Sequence, residues 1–245
     1  MKPQLLIGPS TGWMYAQGIY SLQKQSHFLR ATGANAAEIH LSSWEMKDER
    51  MRSLTTQGRF DVQYLSLHLP GAITQIDERQ LLTTAQFAVA CCGATVAVIH
   101  PLRVGGNYPT GHYRKLLDAR IPLAIENMDR RKADGFLIDD LKKLIDSVGC
   151  RLVLDVQHAY EHDPAMGYAK DLFKTFQHRL AHLHVSGQTP DNIHSLVYRA
   201  DNAREIVGFV GEILSTTNVP LILEGEYETP GELQKEIDFL TRELS

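Results

Sequence analysis

Eight short apolar runs alternate with longer segments of helical periodicity along the 245 residues of this chain. This alternation is typical of a parallel sheet whose strands are joined by helices. The mean repeat of about 30 residues is the size of one strand–helix unit with its turns. The predicted strands cover residues 4–7, 36–41, 62–68, 95–100, 123–126, 151–155, 180–185 and 220–224. The predicted helices cover residues 20–32, 46–57, 77–92, 112–119, 137–148, 169–176, 203–215 and 230–244.

Eight such units favour an α/β fold, a single (β/α)8 TIM barrel with parallel strands and an active site at the C-terminal rim. An open doubly wound sheet is the alternative. That fold usually has fewer strands and a G-x-G-x-x-G turn after the first one. The corresponding turn here, GPSTG at residues 8–12, lacks the pattern. No low-complexity linker divides the chain, so we expect one domain over residues 1–245.

Six of the predicted strands have a histidine, an aspartate or a glutamate as their last or next-to-last residue. Because the C-terminal ends of barrel strands meet at one rim, side chains from distant parts of the sequence can converge there. The strand ends therefore predict a cluster of metal-type ligands. The six residues are His68, His100, Glu126, Asp155, His184 and Glu224.

The last four of these residues lie on consecutive strands and form the strongest candidate site. Unpaired, three carboxylates would repel one another in a partly desolvated barrel mouth, and a divalent cation would remove that conflict. An oxygen-rich set with one imidazole suits Mn²⁺, Mg²⁺, Co²⁺ or Zn²⁺. The alternative is that each acid separately caps a loop or pairs with a lysine or arginine.

His68 and His100 lie on adjacent strands beside the strand of Glu126, and they predict a second metal ion with Glu126 as the bridging ligand. Two imidazoles and a carboxylate suit zinc. The alternative for each histidine is a hydrogen-bonded core residue or a substrate hydrogen-bond donor. The expected cofactor is one or two divalent metal ions per chain, with Zn²⁺ or Mn²⁺ preferred over Mg²⁺ or Co²⁺.

Further polar residues follow the strand ends or share their inward orientation. His158 is predicted in the loop after strand six, where it would bind a metal, contact the substrate or orient another ligand. Asp191 and His194 lie in the loop after strand seven. Glu38 shares the inward parity of its strand, and His182 is expected about 6–7 Å deeper than His184 because of the strand rise.

Basic residues follow strands four and five, on the face where the active site is expected. The run Arg130, Arg131 and Lys132, joined by Arg103, could bind a phosphate or carboxylate group of a substrate. A solvated basic loop is the alternative interpretation of this stretch.

Composition limits the partners and the compartment. The net charge of −4 gives no general attraction to nucleic acid or to anionic membranes. The sequence contains no run of about 18 apolar residues, so no membrane span is expected. The apolar run near residue 1 is too short for a signal peptide. The three cysteines lack zinc-knuckle spacing and favour a reducing compartment. We expect a cytoplasmic location and a small-molecule substrate, and the sequence indicates no oligomeric state.

On these residues the chain resembles the xylose-isomerase-like TIM-barrel superfamily, which includes sugar isomerases, sugar epimerases and endonuclease IV-like proteins. The resemblance covers nearly the whole chain. It is carried by IEN at residues 125–127, LDVQH at 154–158, HLHV at 182–185 and LE at 223–224.

Resemblance to the ketose epimerases implies one divalent metal on Glu126, Asp155, His184 and Glu224. It also implies that the two glutamates exchange protons with the substrate and that His158 contacts it. The metal would stabilise the enediolate that forms on proton loss. These expectations describe an isomerase or epimerase of a sugar or sugar-like small molecule, phosphorylated or not.

Resemblance to endonuclease IV implies a phosphoesterase with zinc on His68, His100 and Glu126, a second zinc on the other three ligands, and a third zinc at His158. The chain departs from this pattern in two places. Residues 184–187 lack the aspartate that often ends this strand in both groups. Asp191 matches a third-zinc ligand, but Ile193 stands where a histidine is expected and His194 is one place further. A barrel that binds metal without turnover is the remaining alternative.

Overall fold

A computed structural model describes residues 4–41, 43–44, 60–71 and 73–245. Its centre is an eight-stranded parallel sheet that curls into a nearly closed barrel, the (β/α)8 TIM-barrel fold that the sequence predicts. The strands follow one another in the order β1-β8-β7-β6-β5-β4-β3-β2. They are β1 (Ile7–Pro9), β2 (Ala36–His40), β3 (Tyr64–His68), β4 (Val96–Ile99), β5 (Leu123–Glu126), β6 (Arg151–Asp155), β7 (Leu180–Val185) and β8 (Leu221–Leu223).

The barrel closes between β1 and β2 through a short seam. The Thr11 N–H donates to the Glu38 carbonyl at 2.8 Å. The Asn35 side chain bonds the start of β1, accepting from the Ile7 N–H at 2.7 Å and donating to the Leu5 carbonyl at 2.9 Å. A side-chain amide therefore supplies part of the pairing that backbone groups provide between the other strands.

Gly8 lies where β1 and β2 approach closely, and we predict that Gly8→Ala destabilises the fold. A Cβ at residue 8 would lie 1.7 Å from the Ala36 carbonyl oxygen, a backbone atom of the neighbouring strand. Since the seam would have to open, the loss should reach or exceed the ~1–3 kcal/mol typical of overpacking. Denaturant-induced unfolding measures this free energy.

Gly208→Ala is the matched control for that substitution. Gly208 lies on an exposed helix face, where an added Cβ meets nothing within 4 Å. Alanine there should stabilise the protein by up to about 1 kcal/mol through helix propensity. A Gly8→Ala variant as stable as the wild type would contradict the close approach of the two strands.

Helices alternate with the strands and pack around the barrel. In the described part of the chain they are α1 (Gly12–Ala16), α2 (Leu22–Arg30), α3 (Glu78–Cys92), α4 (Thr110–Asp118), α5 (Ile138–Val148), α6 (Val156–His162), α7 (Gly167–Phe176), α8 (Ala203–Leu214) and α9 (Pro230–Glu243). Local chemistry sets several of their ends. Asp77 caps α3 by accepting two backbone N–H groups, and Thr229 caps α9 ahead of its first-turn proline. Gly149 ends α5 with φ of 85°, a conformation that favours glycine.

The predicted strands are all present, and β1 lies slightly further along the chain than predicted. The predicted helix at residues 46–57 falls outside the described residues, and the seven other predicted helices are present. Two described helices, α1 and α6, were not predicted. The prediction that His158 lies in a loop is wrong, because the Asp155 side chain accepts the His158 N–H at 2.6 Å and caps α6 directly at the strand end.

The apolar core has two parts. The larger part joins the outer faces of the strands to the helices. The smaller part forms a separate cluster of Val96, Val98, Ala124, Val153 and Ala181, which fills the lower barrel interior. Apolar side chains therefore occupy only one end of the barrel, and the other end is free for polar residues.

None of the described helices has the length and apolar character that crossing a membrane requires. The three cysteines, Cys91, Cys92 and Cys150, are free thiols.

Candidate metal centre

The barrel interior changes from apolar to ionisable toward the C-terminal ends of the strands. Alternate strand residues point inward, so an interior apolar side chain near the middle of a strand is followed two positions later by a residue of the upper layer. On β5, Ala124 is followed by Glu126, and on β6, Val153 is followed by Asp155. The four predicted ligands meet in this layer, with one ligand atom from each lying within 4.8 Å of the others: Glu126, Asp155, His184 and Glu224.

His184 contacts both glutamates of this group, which we call the four-residue cluster. Its Nδ1 lies 3.3 Å from an oxygen of Glu126 and 3.3 Å from an oxygen of Glu224. Parallel pairing places His184 beside Asp155 on the adjacent strand. The Glu224 side chain is 18% exposed while the other three residues are buried, so Glu224 connects the cluster to solvent.

Two buried atoms of the cluster have no hydrogen-bond partner among the described residues, Asp155 Oδ2 and His184 Nδ1. Leaving such atoms unsatisfied in the interior is costly, and a cation bound between them would remove the cost. Three carboxylates and one imidazole are a suitable donor set for a divalent cation. These residues therefore fit a metal ion.

The two glutamates have pKa values shifted in opposite directions. Burial raises the pKa of Glu224 well above its usual range, and the Glu126 charge adds to this effect. Burial acts in the same direction on Glu126, but the imidazoles of His184 and His100 hold its pKa well below the usual range. Without a bound cation, Glu126 therefore favours the ionised form and Glu224 the protonated form, and a cation bound between them would favour the ionised form of both.

His68 and His100 lie on the other side of Glu126. The Nε2 atoms of both rings are 3.3 Å from Glu126 Oε2. The His68 side chain is buried, whereas a third of the His100 side chain is exposed. The three residues form a second group of candidate ligands within 4.8 Å of one another. Glu126 therefore faces both groups, with Oε1 toward His184 and Oε2 toward the two histidines.

A third buried group lies beneath His184. Glu38 Oε2 is 3.3 Å from His184 Nε2 and 3.6 Å from His182 Nε2. Burial by itself raises the pKa of Glu38, but the charge and hydrogen bond of His184, together with the charges of His68 and His182, outweigh it and lower the pKa to about 2. Burial, followed by the charge of His184, lowers the pKa of His182 to about 3. Strand parity indicated that Glu38 and His182 point inward, but their contacts with His184 were not predicted.

The histidines beyond the strand ends face the opening of the barrel. His158 Nδ1 lies 2.9 Å from the Asn127 carbonyl, which the ring N–H can reach as a donor. The His194 ring lies 5.8 Å from that of His158, and its Nδ1 is 3.2 Å from Ser186 Oγ. Asp191 is exposed. Among the described residues, the groups of candidate ligands include none of these three, and the third metal site stays a prediction.

Arg103 is held by carboxylates outside the candidate site. It forms ion pairs with Asp134 at 3.3 Å and with Asp140, and its guanidinium lies 4.7 Å from the centre of the Tyr108 ring. Its charge is therefore compensated locally. The structure does not bring Arg103 to the metal ligands.

The basic loop after β5 reaches the candidate site through two of its three cations. Lys132 and Arg131 line the cavity above the ligands, whereas Arg130 is exposed and does not. Arg131 is held 2.9 Å from an oxygen of Asp129 and 3.2 Å from an oxygen of Glu161. Arg131 belongs to the basic run that the sequence analysis considers as an anion-binding loop, but spacing alone does not show which side chains of the run turn inward.

A cavity of about 380 Å³ opens above the metal ligands. Ionisable side chains from most of the strand ends line it, and Met128 adds an apolar contribution. A neighbouring cavity of about 290 Å³ shares His40, His194 and Glu224 with it and extends to Trp13. The candidate metal centre is thus the floor of an open, polar pocket.

No protein-family model and no curated protein matches the sequence. Solved structures do match. Endonuclease IV from Thermus thermophilus matches with a TM-score of 0.66 and 16% identity, over 97% of this chain and 98% of the other. A D-tagatose 3-epimerase-like protein matches with a TM-score of 0.65 and 15% identity, over 98% and 97% of the two chains.

A xylose isomerase domain-containing protein from Salmonella typhimurium is similar as well, with a TM-score of 0.68 and 15% identity over 100% of this chain and 98% of the other. These similarities define the class. The chain has the fold of the xylose-isomerase-like TIM barrels, as the resemblance in its sequence predicts. At these identities the similarity is one of fold, and the chemistry of this chain must be inferred from its own residues.

Proposed function

We propose that this protein is a divalent-metal-dependent isomerase or epimerase of a sugar or sugar-like small molecule. The observation that carries the proposal is the four-residue cluster, in which two glutamates flank one imidazole at 3.3 Å and an aspartate completes the candidate ligand set. In this proposal Glu126 removes a proton from the substrate carbon and Glu224 returns one. The similarity of fold to a D-tagatose 3-epimerase-like protein and to an L-ribulose 3-epimerase supports a sugar substrate.

The cation would be held by Glu126, Asp155, His184 and Glu224, and we propose Zn²⁺ or Mn²⁺ because this donor set combines carboxylates with one imidazole. When bound, it would polarise a substrate oxygen and stabilise the negative charge that develops on proton loss. The protein residues supply the rest: they position the substrate, exchange the proton and limit access of water.

The cavity above the ligands supports a small substrate rather than a polymer. Its volume of about 380 Å³ lies in the range of small-molecule pockets. His158 and His194 line it and offer hydrogen bonds to substrate oxygens. Lys132 lines the same cavity and would attract a phosphate or carboxylate group on the substrate.

A second candidate function is a multi-zinc phosphoesterase, which is favoured by the two imidazoles of His68 and His100 around Glu126 Oε2. Two metals about 3.5–4 Å apart would activate water and stabilise the leaving oxygen. A metal-binding barrel without turnover is the third candidate. The three differ in the number of metals and in the reactions that they support.

Metal content distinguishes these candidates before any substrate is known. We expect protein purified without chelator to contain one divalent metal per chain by elemental analysis. His68→Ala should retain that metal, because His68 is outside the four-residue cluster. Two or more zinc ions per chain, with one lost in His68→Ala, would favour the phosphoesterase.

Turnover is then tested with ketoses and their phosphorylated forms in D₂O. Deuterium incorporation at a carbon next to the carbonyl, followed by NMR, is the expected result for at least one sugar. Metal-loaded protein that exchanges no proton on any sugar, and that cleaves no phosphoester, would support binding without turnover.

A further inference from the structure

Glu38 occupies an unusual place for a charged residue, since it is fully buried in the barrel interior beneath the four-residue cluster. Four polar side chains lie within 3.6 Å of its carboxylate oxygens. Ser66 Oγ donates to Glu38 Oε2 at 2.8 Å, and Ser10 Oγ lies 3.5 Å from Oε1. The imidazoles of His184 and His182 approach Oε2 from β7. A buried carboxylate with this many donors is held in one position.

The two ring nitrogens of His184 face two different carboxylate groups. Nδ1 faces Glu126 and Glu224, while Nε2 lies 3.3 Å from Glu38 Oε2. An ionised carboxylate only accepts hydrogen bonds, so His184 Nε2 carries the proton in this contact. A neutral His184 with its proton on Nε2 presents the Nδ1 lone pair to the four-residue cluster, and this is the form that metal binding requires.

His182 limits the space in which Glu38 can move. The Tyr64 hydroxyl lies 2.7 Å from His182 Nδ1, and as a donor it leaves the His182 proton on Nε2. That nitrogen is buried and points toward Glu38 from 3.6 Å, without a hydrogen bond of its own among the described residues. The His182 and His184 rings are 5.0 Å apart, so His182 also supports the underside of His184.

We infer that Glu38, supported by Ser66 and His182, is a positioning residue that fixes the tautomer and orientation of His184 for metal binding. The inference rests on the proposed function, because it takes His184 as a metal ligand. A carboxylate behind a metal-bound imidazole makes that imidazole a stronger ligand, and loss of such a partner typically costs about 10–100-fold in affinity. Glu38 acts through His184 and does not itself touch the metal or the substrate.

The test compares Co²⁺ and Zn²⁺ affinities of Glu38→Gln and Glu38→Leu with those of the wild type, by competition with a chelator. Glutamine keeps an acceptor for His184 Nε2 but removes the charge, and leucine removes both. We expect a loss of about 10–100-fold for glutamine and a larger loss for leucine. Thermal unfolding of each metal-depleted variant shows whether the fold persists.

Glu236→Gln is the matched control. Glu236 is equally buried, but it accepts the backbone N–H groups of Val197 and Tyr198 far from the metal ligands. Its substitution should change stability and leave metal affinity unchanged. If Glu236→Gln weakens metal binding as much as Glu38→Gln does, the effect is one of general stability and the inference fails.

A spectroscopic readout keeps the inference testable even if the variants do not fold. The ¹⁵N chemical shifts of His184 in the zinc-loaded wild type should show a protonated Nε2 and an Nδ1 without a proton, with His184→Gln used for assignment. A proton on Nδ1 would overturn the inference.

The remaining outcomes separate this inference from the proposed function. If the wild type binds metal and the Glu38 variants bind it equally well, the inference fails and the proposed function stands. If Glu38→Gln loses one of two bound ions, then Glu38 is a ligand and the positioning role is wrong. If the wild type binds no divalent metal, both fail together.

Discussion

Glu126→Gln is expected to abolish solvent-deuterium exchange at the substrate carbon while the barrel remains folded. Glutamine keeps the shape and one oxygen of Glu126 but cannot accept a proton from carbon. A positioned general base typically raises the rate of proton transfer by about 10²–10⁴-fold, so the exchange rate should fall by at least that factor. The measurement is ¹H NMR of a turned-over sugar in D₂O, with metal content and circular dichroism recorded on the same sample.

Glu226→Gln is the control for this substitution, since Glu226 is an exposed carboxylate at the edge of the neighbouring cavity. Its exchange rate should stay close to that of the wild type. Full exchange by a metal-loaded Glu126→Gln variant would rule out Glu126 as the base. If the Glu126→Gln variant loses both the metal and the exchange activity, the result would show only that Glu126 is a metal ligand.

Asp155→Asn should weaken binding of a divalent metal by more than about 100-fold. Loss of a residue that hydrogen-bonds a metal ligand typically lowers the metal affinity by about 10–100-fold. Asp155 is itself a ligand in this proposal, so its loss should lower the affinity further. Asparagine is chosen because it retains an oxygen for the His158 N–H, which Asp155 Oδ1 accepts at 2.6 Å. The cap of α6 is thus kept, and a loss of about 1 kcal/mol from an uncapped helix is avoided.

Asp77→Asn provides the matched control for Asp155→Asn. Asp77 also caps a helix, accepting from the Arg79 and Gln80 N–H groups at 2.9 and 3.2 Å, but it lies on the surface. Isothermal titration with Mn²⁺ and Zn²⁺ should show full affinity for the Asp77 variant. Equal affinities for the two variants would mean that Asp155 is a helix cap and not a ligand.

The ligand cluster was predictable from local pattern. Strand residues alternate between inside and outside, so the last residue of an apolar run has a defined direction as soon as the run is identified. Parallel strands in a barrel then bring such ends to one rim. Glu126 and Asp155 illustrate this, since each closes a run of buried residues and each points into the same space.

Helix α6 shows a limit of the same approach. The stretch after Asp155 has no strong helical periodicity over its few residues, so a loop was predicted. A single side-chain-to-backbone bond from Asp155 starts the helix, and the position of His158 depends on it. Arg131 is a similar case, because its orientation depends on the carboxylates of Asp129 and Glu161 that hold it.

The sequence by itself determined the alternation of strands and helices, and hence the barrel and the set of acids and imidazoles at its rim. Only the tertiary structure decided which of those side chains contact one another. His184 and Glu38 are 146 residues apart and lie on different strands, yet their side chains meet at 3.3 Å. Periodicity within a strand defines the direction of a side chain, but distances across the interior depend on how the sheet curls and closes.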